Sequence, residues 1–265
     1  MTENHLHIVS FDVPYPANYG GVIDVFYRVK TLIEAGVKVH LHCFEYGRGE
    51  QDVLKRCYDV KYYKRDTSFV RQFSLLPFII NSRRSEALVR DLLKDDYPIL
   101  CEGLHTTAVL LDKRLKNRRI YVRAHNVEHD YYKGLGDSER WGWKKLFYLI
   151  EARKLKRYEP VLKSAVCVFA ISQKDADYFS NKYGNVVLVP GFSAADSVCS
   201  ETGRGDYVLY HGNLSVRENE DAAKWLIENV FSELDLHCVV SGLNPSDKLQ
   251  KLADRFPNVT LLANP

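Results

Sequence analysis

The five residues His125-Asn126-Val127-Glu128-His129 fit H-x-x-E-H, a spacing that, within a helix, sets two imidazoles on one face to hold zinc. Their context reads differently. Ile120-Tyr121-Val122-Arg123 has the β-branched, apolar character of a strand and runs almost directly into His125. A histidine at a strand's carboxyl end in an open parallel sheet either faces the ligand crevice or caps the helix that follows. A second candidate is Gly20-Gly21, which closes the Pro-rich stretch 13–21 after the first strand candidate. Two glycines let backbone approach a ligand closely, and the free N–H groups of the next helix attract an anion; a tight turn is the alternative reading. Neither G-x-G-x-x-G nor G-x-x-x-x-G-K occurs, which disfavours dinucleotide and P-loop chemistry. His5/His7 and His40/His42 are spaced two apart, so each pair points to one face of a strand; we read them as structural.

These residues sit in an alternation of short apolar strands and helical stretches. Strand candidates are 6–11, 37–44, 60–63, 98–101, 119–123, 166–172 and 186–189, with helices starting after Gly21 and from Ser85, His105, Trp141 and Gln173. Val22, Phe26, Val29 and Ile33 mark the buried stripe of the first helix, and Gly36 stands where its C-terminus wants a left-handed residue. Pro160 ends or kinks the long helix near Tyr158. The Gly- and Ser-rich stretch 190–205 is the best domain boundary, giving a first domain over 1–195 and a second over 206–265. The second offers strands 207–211, 236–240 and 259–262 with helices carrying Ala222, Ala223, Leu226, Ile227 and Val230, and spanning 247–255. That is about half of a doubly wound sheet, which usually has five or six strands. The fold class expected is α/β, with two parallel-sheet, Rossmann-like domains, the first complete and the second partial.

Composition narrows the partners. The chain has 265 residues, 46% hydrophobic, 27% charged and 12% aromatic, a soluble globular profile rather than a disordered, collagenous or spanning one. A net charge of +3 is too mild to imply nucleic acid. The start carries no signal-peptide pattern, and Cys43, Cys57, Cys101, Cys167, Cys199 and Cys238 form no C-x-x-C pair, so reduced thiols and a cytoplasmic location are expected. The sequons at Asn213 and Asn258 then carry no glycan. Two basic segments, 113–123 and 144–157, and the apolar 69–80, with Arg71, Arg83 and Arg84 in or beside it, offer two readings. They rest on an anionic membrane surface, at its inner face, or they form core-facing helices with a solvated outer side.

Four segments together resemble the family 4 retaining glycosyltransferases of the GT-B fold: Pro14-Tyr15-Pro16 with Gly20-Gly21; 123–128; 165–175; and Val208 to Ser215. The resemblance spans nearly the whole chain. It implies a hexosyl transfer from a nucleotide sugar to a saccharide or lipid-linked acceptor in polysaccharide biosynthesis, with retention, without metal, and with no cofactor beyond the donor as substrate. His125 would lie at the reacting sugar as the catalytic residue. Tyr19, Gly20, Gly21, Asn126, Glu128, Ser172, Gly212, Asn213 and Arg217 would bind substrates, Gly20 and Gly21 at the donor diphosphate or the acceptor. Where the family often has Gly-Arg and then Lys five residues on, this chain has Asn213 and Glu218, leaving Arg217 as the nearest cation. The family's E-x-x-x-x-x-x-x-E segment would lie beyond Pro265, so the 265 residues are expected to hold acceptor-side groups but not to grip a donor tightly. A noncatalytic saccharide binder using Tyr15 and Tyr19, a sugar-nucleotide epimerase on the same scaffold, and a zinc hydrolase are the competing readings.

Overall fold

A computed structural model describes residues 4–139, 141–195 and 197–265. The chain divides into two compact units, Met1–Asp196 and Ser197–Pro265. In the first, strands β1 (His5–Ser10), β2 (Lys38–Glu45), β3 (Asp59–Lys64), β4 (Ile99–Glu102), β5 (Ile120–Ala124), β6 (Cys167–Ala170) and β7 (Val186–Leu188) form, among the described residues, one parallel sheet in the order β3-β2-β1-β4-β5-β6-β7. The chain builds outward from β1 on one side, then returns to place β4 on the other. That reversal puts the switch point between β1 and β4, where open sheets of this kind leave a crevice at their carboxyl ends. Helices α1 (Gly20–Glu34), α2 (Phe78–Asn81), α3 (Glu86–Leu92), α4 (Glu128–Ser138), α5 (Trp143–Tyr158) and α6 (Gln173–Tyr183) supply the crossovers and cover both faces. Val22, Val25 and Val29 of α1 pack with Ile8, Leu41 and Cys43 on one face, while Leu88, Leu155 and Phe179 meet Val9, Ile99 and Val122 on the other.

The second unit is a smaller parallel sheet, β10-β9-β8, made of β8 (Tyr207–Asn213), β9 (His237–Leu243) and β10 (Val259–Ala263). Helices α7 (Arg217–Asn229) and α8 (Asp247–Ala253) pack Ala223, Ile227, Leu249 and Leu252 against Cys238 and Val240. Strands β8 and β9 approach so closely at Gly242 that a Cβ there would stand 1.9 Å from the Gly212 carbonyl oxygen, so only glycine fits.

Several boundaries differ from the sequence reading. The stretch from His105 is a 3-10 turn, Leu104–Leu111, not an α-helix. Its threonines bond backward, Thr106 Oγ1 to Glu102 O (3.1 Å) and Thr107 Oγ1 to Leu104 O (2.7 Å), which competes with the α-helical ladder. The helix placed from Trp141 begins at Trp143, after Gly142 at φ 157°. Strand β6 stops at Ala170 rather than Ser172, because Ser172 Oγ accepts the Asp175 amide (3.2 Å) and caps α6. The thiols of Cys43, Cys57, Cys101, Cys167 and Cys238 are free and buried; Cys199 is free and exposed.

The paired histidines meet across β1 and β2, whose register sets His5 beside Lys38 and His7 beside His40. His5 bonds His40 and His7 bonds His42, each at 2.8 Å. His7 continues to Asp95 (2.9 Å), and His42 to Tyr63 (2.8 Å), which donates to Asp91 (2.7 Å). Burial, with the nearby His7 and Lys61 charges, pushes His42 down to about 3. A histidine depressed in this way contributes stability that is complete above its unfolded pKa near 6.5 and is lost as pH falls from there toward 3. The free energy of unfolding should therefore drop steadily between pH 7 and pH 5, by up to about 1.4 kcal/mol per pH unit from His42 alone. The slope should be shallower in His42→Gln. Equal slopes in denaturant titrations of the two proteins would refute this assignment.

Candidate functional site

The carboxyl ends of β1, β4 and β5 converge on a buried set of four charges. Asp24 and Arg28 stand four residues apart on α1, on the same buried side as Val25 and Val29, and bond at 2.7 Å. Arg28 also donates to Glu102 at the end of β4. Arg123 on β5 grips Asp24 through Nε (3.1 Å) and Nη2 (2.9 Å), and caps the carbonyls of Val189 (2.5 Å) and Pro190 (2.9 Å). The Phe192 amide closes the ring on Asp24 Oδ1 at 2.8 Å. Two carboxylates face two guanidiniums, so the cluster carries no net charge; burial without that balance would cost several kcal/mol. Burial pushes the Asp24 carboxyl up, but the Arg123 hydrogen bond, the Arg28 charge and the Phe192 amide outweigh it and hold it at about 2. Arg28 is likewise raised against its burial by Glu102 and Asp24.

His125 follows β5 and lies on this cluster. Its Nε2 stands 3.2 Å from Glu102 Oε2, and its ring meets Phe11 edge-on at 5.5 Å. With the Glu102 carboxylate accepting, Nε2 carries the proton and Nδ1 is left as an acceptor. The loop after β1 lies beside it. Asp12 takes the Val13 amide (2.8 Å), the Tyr19 hydroxyl (2.8 Å) and Arg48 Nε (3.2 Å), while Arg48 reaches Pro16 O and Asn18 Oδ1, both at 2.6 Å. Burial and the Asp12 bond raise the Tyr19 phenol, so its hydroxyl is committed and its half-exposed ring is what a ligand could meet. Gly20 has open space where a side chain would be. Gly21 does not, since a Cβ there would sit 2.7 Å from the Phe11 ring that touches His125. Tyr19, the residue before α1, offers no side-chain cap, so the amides of the first turn have no acceptor within the helix.

Asn126 is exposed, whereas Glu128 is buried at the start of α4. Burial raises the Glu128 carboxyl to about 8 against the Asn126 hydrogen bond and the Arg83 charge. Its Oε1 and His105 Nδ1 lie 3.8 Å apart, each without a hydrogen-bond partner among the described residues. Glu128 thus stands behind the surface that Asn126 presents. His129 bonds Glu159 at 2.8 Å while His125 bonds Glu102, so the two histidines of H-x-x-E-H serve different carboxylates. The hydroxyl of Ser172 is used as the α6 cap. Asp24, Glu102 and His125 do place one donor atom each within 4.8 Å of one another, a spacing fit for a cation. Both carboxylates are already matched by Arg28 and Arg123, whose charges oppose a divalent ion there.

In the second unit, Gly212 and Asn213 end β8. Asn213 Oδ1 accepts from the Ser215 amide (3.1 Å) and hydroxyl (2.6 Å), and Arg217, at the start of α7, is held by Asp221 at 3.4 Å. Asp24, Arg28 and Glu102 are the residues that sequence reasoning missed. Two signals were available: an acid and a base four apart among the valines of α1, and a carboxylate directly after Ile99-Leu100-Cys101.

No family model matches the chain. An uncharacterised 44.6 kDa protein of the cps region of Klebsiella pneumoniae is 30% identical over 251 residues, which cover 91% of this chain and 63% of that protein. The chain therefore spans less than two thirds of that relative's length. The catalytic domain of starch synthase IV from Arabidopsis thaliana, bound to ADP and acarbose, superposes with a TM-score of 0.57 at 14% identity, over 99% of this chain and 74% of that one. A UDP-glucosyltransferase from Polygonum tinctorium capable of glucosylating indoxyl gives 0.53 at 12% identity, over 98% and 71%. The chain has the GT-B glycosyltransferase fold.

If the four charges act as one unit, removing one strands its partners. Asp24→Asn should cost about 3 kcal/mol in urea unfolding, because Arg28 and Arg123 would then share Glu102 alone. A loss below about 1 kcal/mol would place the network outside the stabilising core.

Proposed function

We propose that the protein carrying this sequence is a nucleotide-sugar glycosyltransferase similar to family 4, transferring a hexosyl unit with retention to a saccharide or lipid-linked acceptor. The observation that carries the reading is His125, bonded to Glu102 at the carboxyl end of β4 in a GT-B sheet, with Phe11 of the loop after β1 against its ring. Support for the donor class comes from proteins that share the fold, one bound to ADP and one a UDP-glucosyltransferase. In the proposed reaction the bond between the anomeric carbon and the donor phosphate oxygen breaks, the acceptor oxygen bonds to the same face of that carbon, and the hydroxyl proton leaves with the nucleoside diphosphate. His125 Nδ1 would accept from a sugar hydroxyl, and the free amides at the start of α1 would face an anionic group of a substrate. No metal or cofactor is part of this proposal.

A noncatalytic saccharide binder is the second reading, favoured by one observation: Arg217, the nearest cation to Asn213, is tied to Asp221. The surface of the first unit also supports peripheral contact with the cytoplasmic face of a membrane. Helix α5 buries Glu151, Ala152, Leu155 and Tyr158, but its start leaves Trp143 and Leu146 exposed, next to Trp141 at 94%. The neighbouring turn Phe69–Phe73, tied to α5 by Lys154 on Gln72 O (2.8 Å), exposes Phe69, Val70 and Phe73. The segments read as a core-facing helix thus expose apolar side chains beside Lys144 and Lys145, the pattern of an interfacial anchor on anionic lipid.

In the full-length gene product, His125→Ala should lower kcat for transfer roughly a hundredfold with an unchanged melting temperature. Turnover equal to the parent, or no heat from any nucleoside diphosphate in calorimetry, would remove the transferase reading. In flotation assays, vesicles containing phosphatidylglycerol should carry the chain and neutral vesicles should not. Phe73→Ser with Trp143→Ser should abolish flotation; unchanged flotation would exclude this surface.

A further inference from the structure

Two buried groups beside His125 are left unused by the proposed transfer. Glu128 turns Oε1 toward His105 Nδ1 at 3.8 Å, and both atoms are buried with no hydrogen-bond partner among the described residues. Buried polar atoms nearly always have one, so two orphans facing each other point to a proton held between them; closing the gap takes a side-chain shift of about 1 Å. The strand before His105 makes room for it. Gly103, directly after β4, takes φ 66°, and a Cβ on it would stand 2.7 Å from His105 Nδ1, so both the backbone and the imidazole against it require glycine. Thr106 and Thr107 then tie the turn to Glu102 O and Leu104 O. The opposite edge of the ring is open: the side chain is 21% exposed, and Nε2, unlike Nδ1, is not buried and makes no hydrogen bond among the described residues. Phe11 lies against both imidazoles at the carboxyl ends of β1 and β4, with ring centroids 5.2 Å from His105 and 5.5 Å from His125.

The surroundings set the protons. Burial, with the charges of Arg83, His125 and Arg65, holds the His105 imidazole well below its ordinary range, so the ring is neutral. Burial raises the Glu128 carboxyl to about 8, although the Asn126 hydrogen bond and the Arg83 charge pull the other way. Tyr132 beside it is raised as well, by burial first and then by Glu128 and Glu151, and adds no charge. A neutral carboxyl has a hydroxyl to donate, and a neutral imidazole that accepts at Nδ1 carries its own proton at Nε2. We propose that Glu128 is a positioning residue that donates to His105 Nδ1, and that His105 presents Nε2–H as a donor to a hydroxyl of the transferred sugar. The two imidazoles are then complementary. His125, bonded to Glu102 through Nε2, offers an acceptor at Nδ1, while His105 offers a donor at Nε2; sugar hydroxyls, which both donate and accept, use both. The sugar contact rests on the transferase reading above, whereas the pairing of Glu128 with His105 stands without it.

Nitrogen-15 histidine spectra of the 265-residue chain read the pairing directly, with the His105 signals assigned by their loss in His105→Ala. Between pH 6 and pH 7, His105 should carry its proton on Nε2 and none on Nδ1. As pH passes about 8 and Glu128 ionises, the proton should move to Nδ1 in the parent. Glu128→Gln, whose amide still donates to Nδ1, should keep the Nε2–H form throughout, and Glu128→Leu should mix the two tautomers. A proton on Nδ1 at pH 6, or a parent and a Glu128→Gln that behave alike across pH 8, would overturn the pairing. The sugar contact is read by calorimetry on the full-length gene product with UDP-glucose, GDP-mannose and ADP-glucose, each beside its free nucleoside diphosphate. For the pair that gives heat, His105→Ala should weaken the nucleotide sugar about tenfold and leave the nucleoside diphosphate unchanged, as loss of one hydrogen bond requires. Glu128→Gln should match the parent. Equal weakening of both ligands by His105→Ala, or of neither, would overturn the contact. Heat from none of the six would fail the transferase reading and with it the sugar contact, while the tautomer would still decide the pairing.

Discussion

Arg123 is the point on which the first unit turns. It reaches from the middle of the sheet to Asp24 on α1 and to the backbone of Val189 and Pro190, while Asp24 also holds the Phe192 amide. One side chain thus links a central strand, the first crossover helix and the segment that leaves β7. Desolvating four charges is expensive, and the arrangement is tolerable because each carboxylate faces a guanidinium and the sum is zero. It fixes more than stability. Glu102 is oriented by Arg28, and His125 takes its tautomer from Glu102, so the reactive edge inherits its geometry from a buried ion network rather than from its own loop.

The sheet treats charge in two different ways. Across β1, β2 and β3, His7, His42, Tyr63, Asp91 and Asp95 form a hydrogen-bonded chain in which burial lowers the pKa of both imidazoles. At the carboxyl end the charges are retained. Asp12 is matched by Arg48, and Asp24 and Glu102 by Arg28 and Arg123, while among the described residues no carboxylate stands at ion-pair distance from Arg83 or Arg65. An edge that keeps unmatched cations beside a free helix start favours anionic ligands on electrostatic grounds, independent of which ligand it is.

Much of the fold was legible along the chain because its signals are local. The strand runs around 6–11, 37–44 and 119–123 fell within a residue or so of β1, β2 and β5, and Pro160 stopped α5 at Tyr158 as its missing amide requires. Ser85, the start of a helix by sequence, is its cap, accepting from Leu88 N. The site was legible only in outline. The position of His125 at a strand end followed from the apolar run before it, and Gly20-Gly21 from the break before α1. That Gly21 is required by the Phe11 ring, that Ser172 spends its hydroxyl on a cap and that Glu128 lies behind Asn126 needed neighbours from elsewhere in the chain.

The sequence alone determined the alternating parallel architecture, since hydrophobic period, caps and breakers act over a few residues and leave their mark in order. Tertiary structure decided which ionisable groups meet. Asp24 and Arg123 are separated by 99 positions, and no spacing rule connects them. Their contact exists because the crossover lays α1 across the sheet, and because a buried charge must find an opposite one wherever the fold brings it.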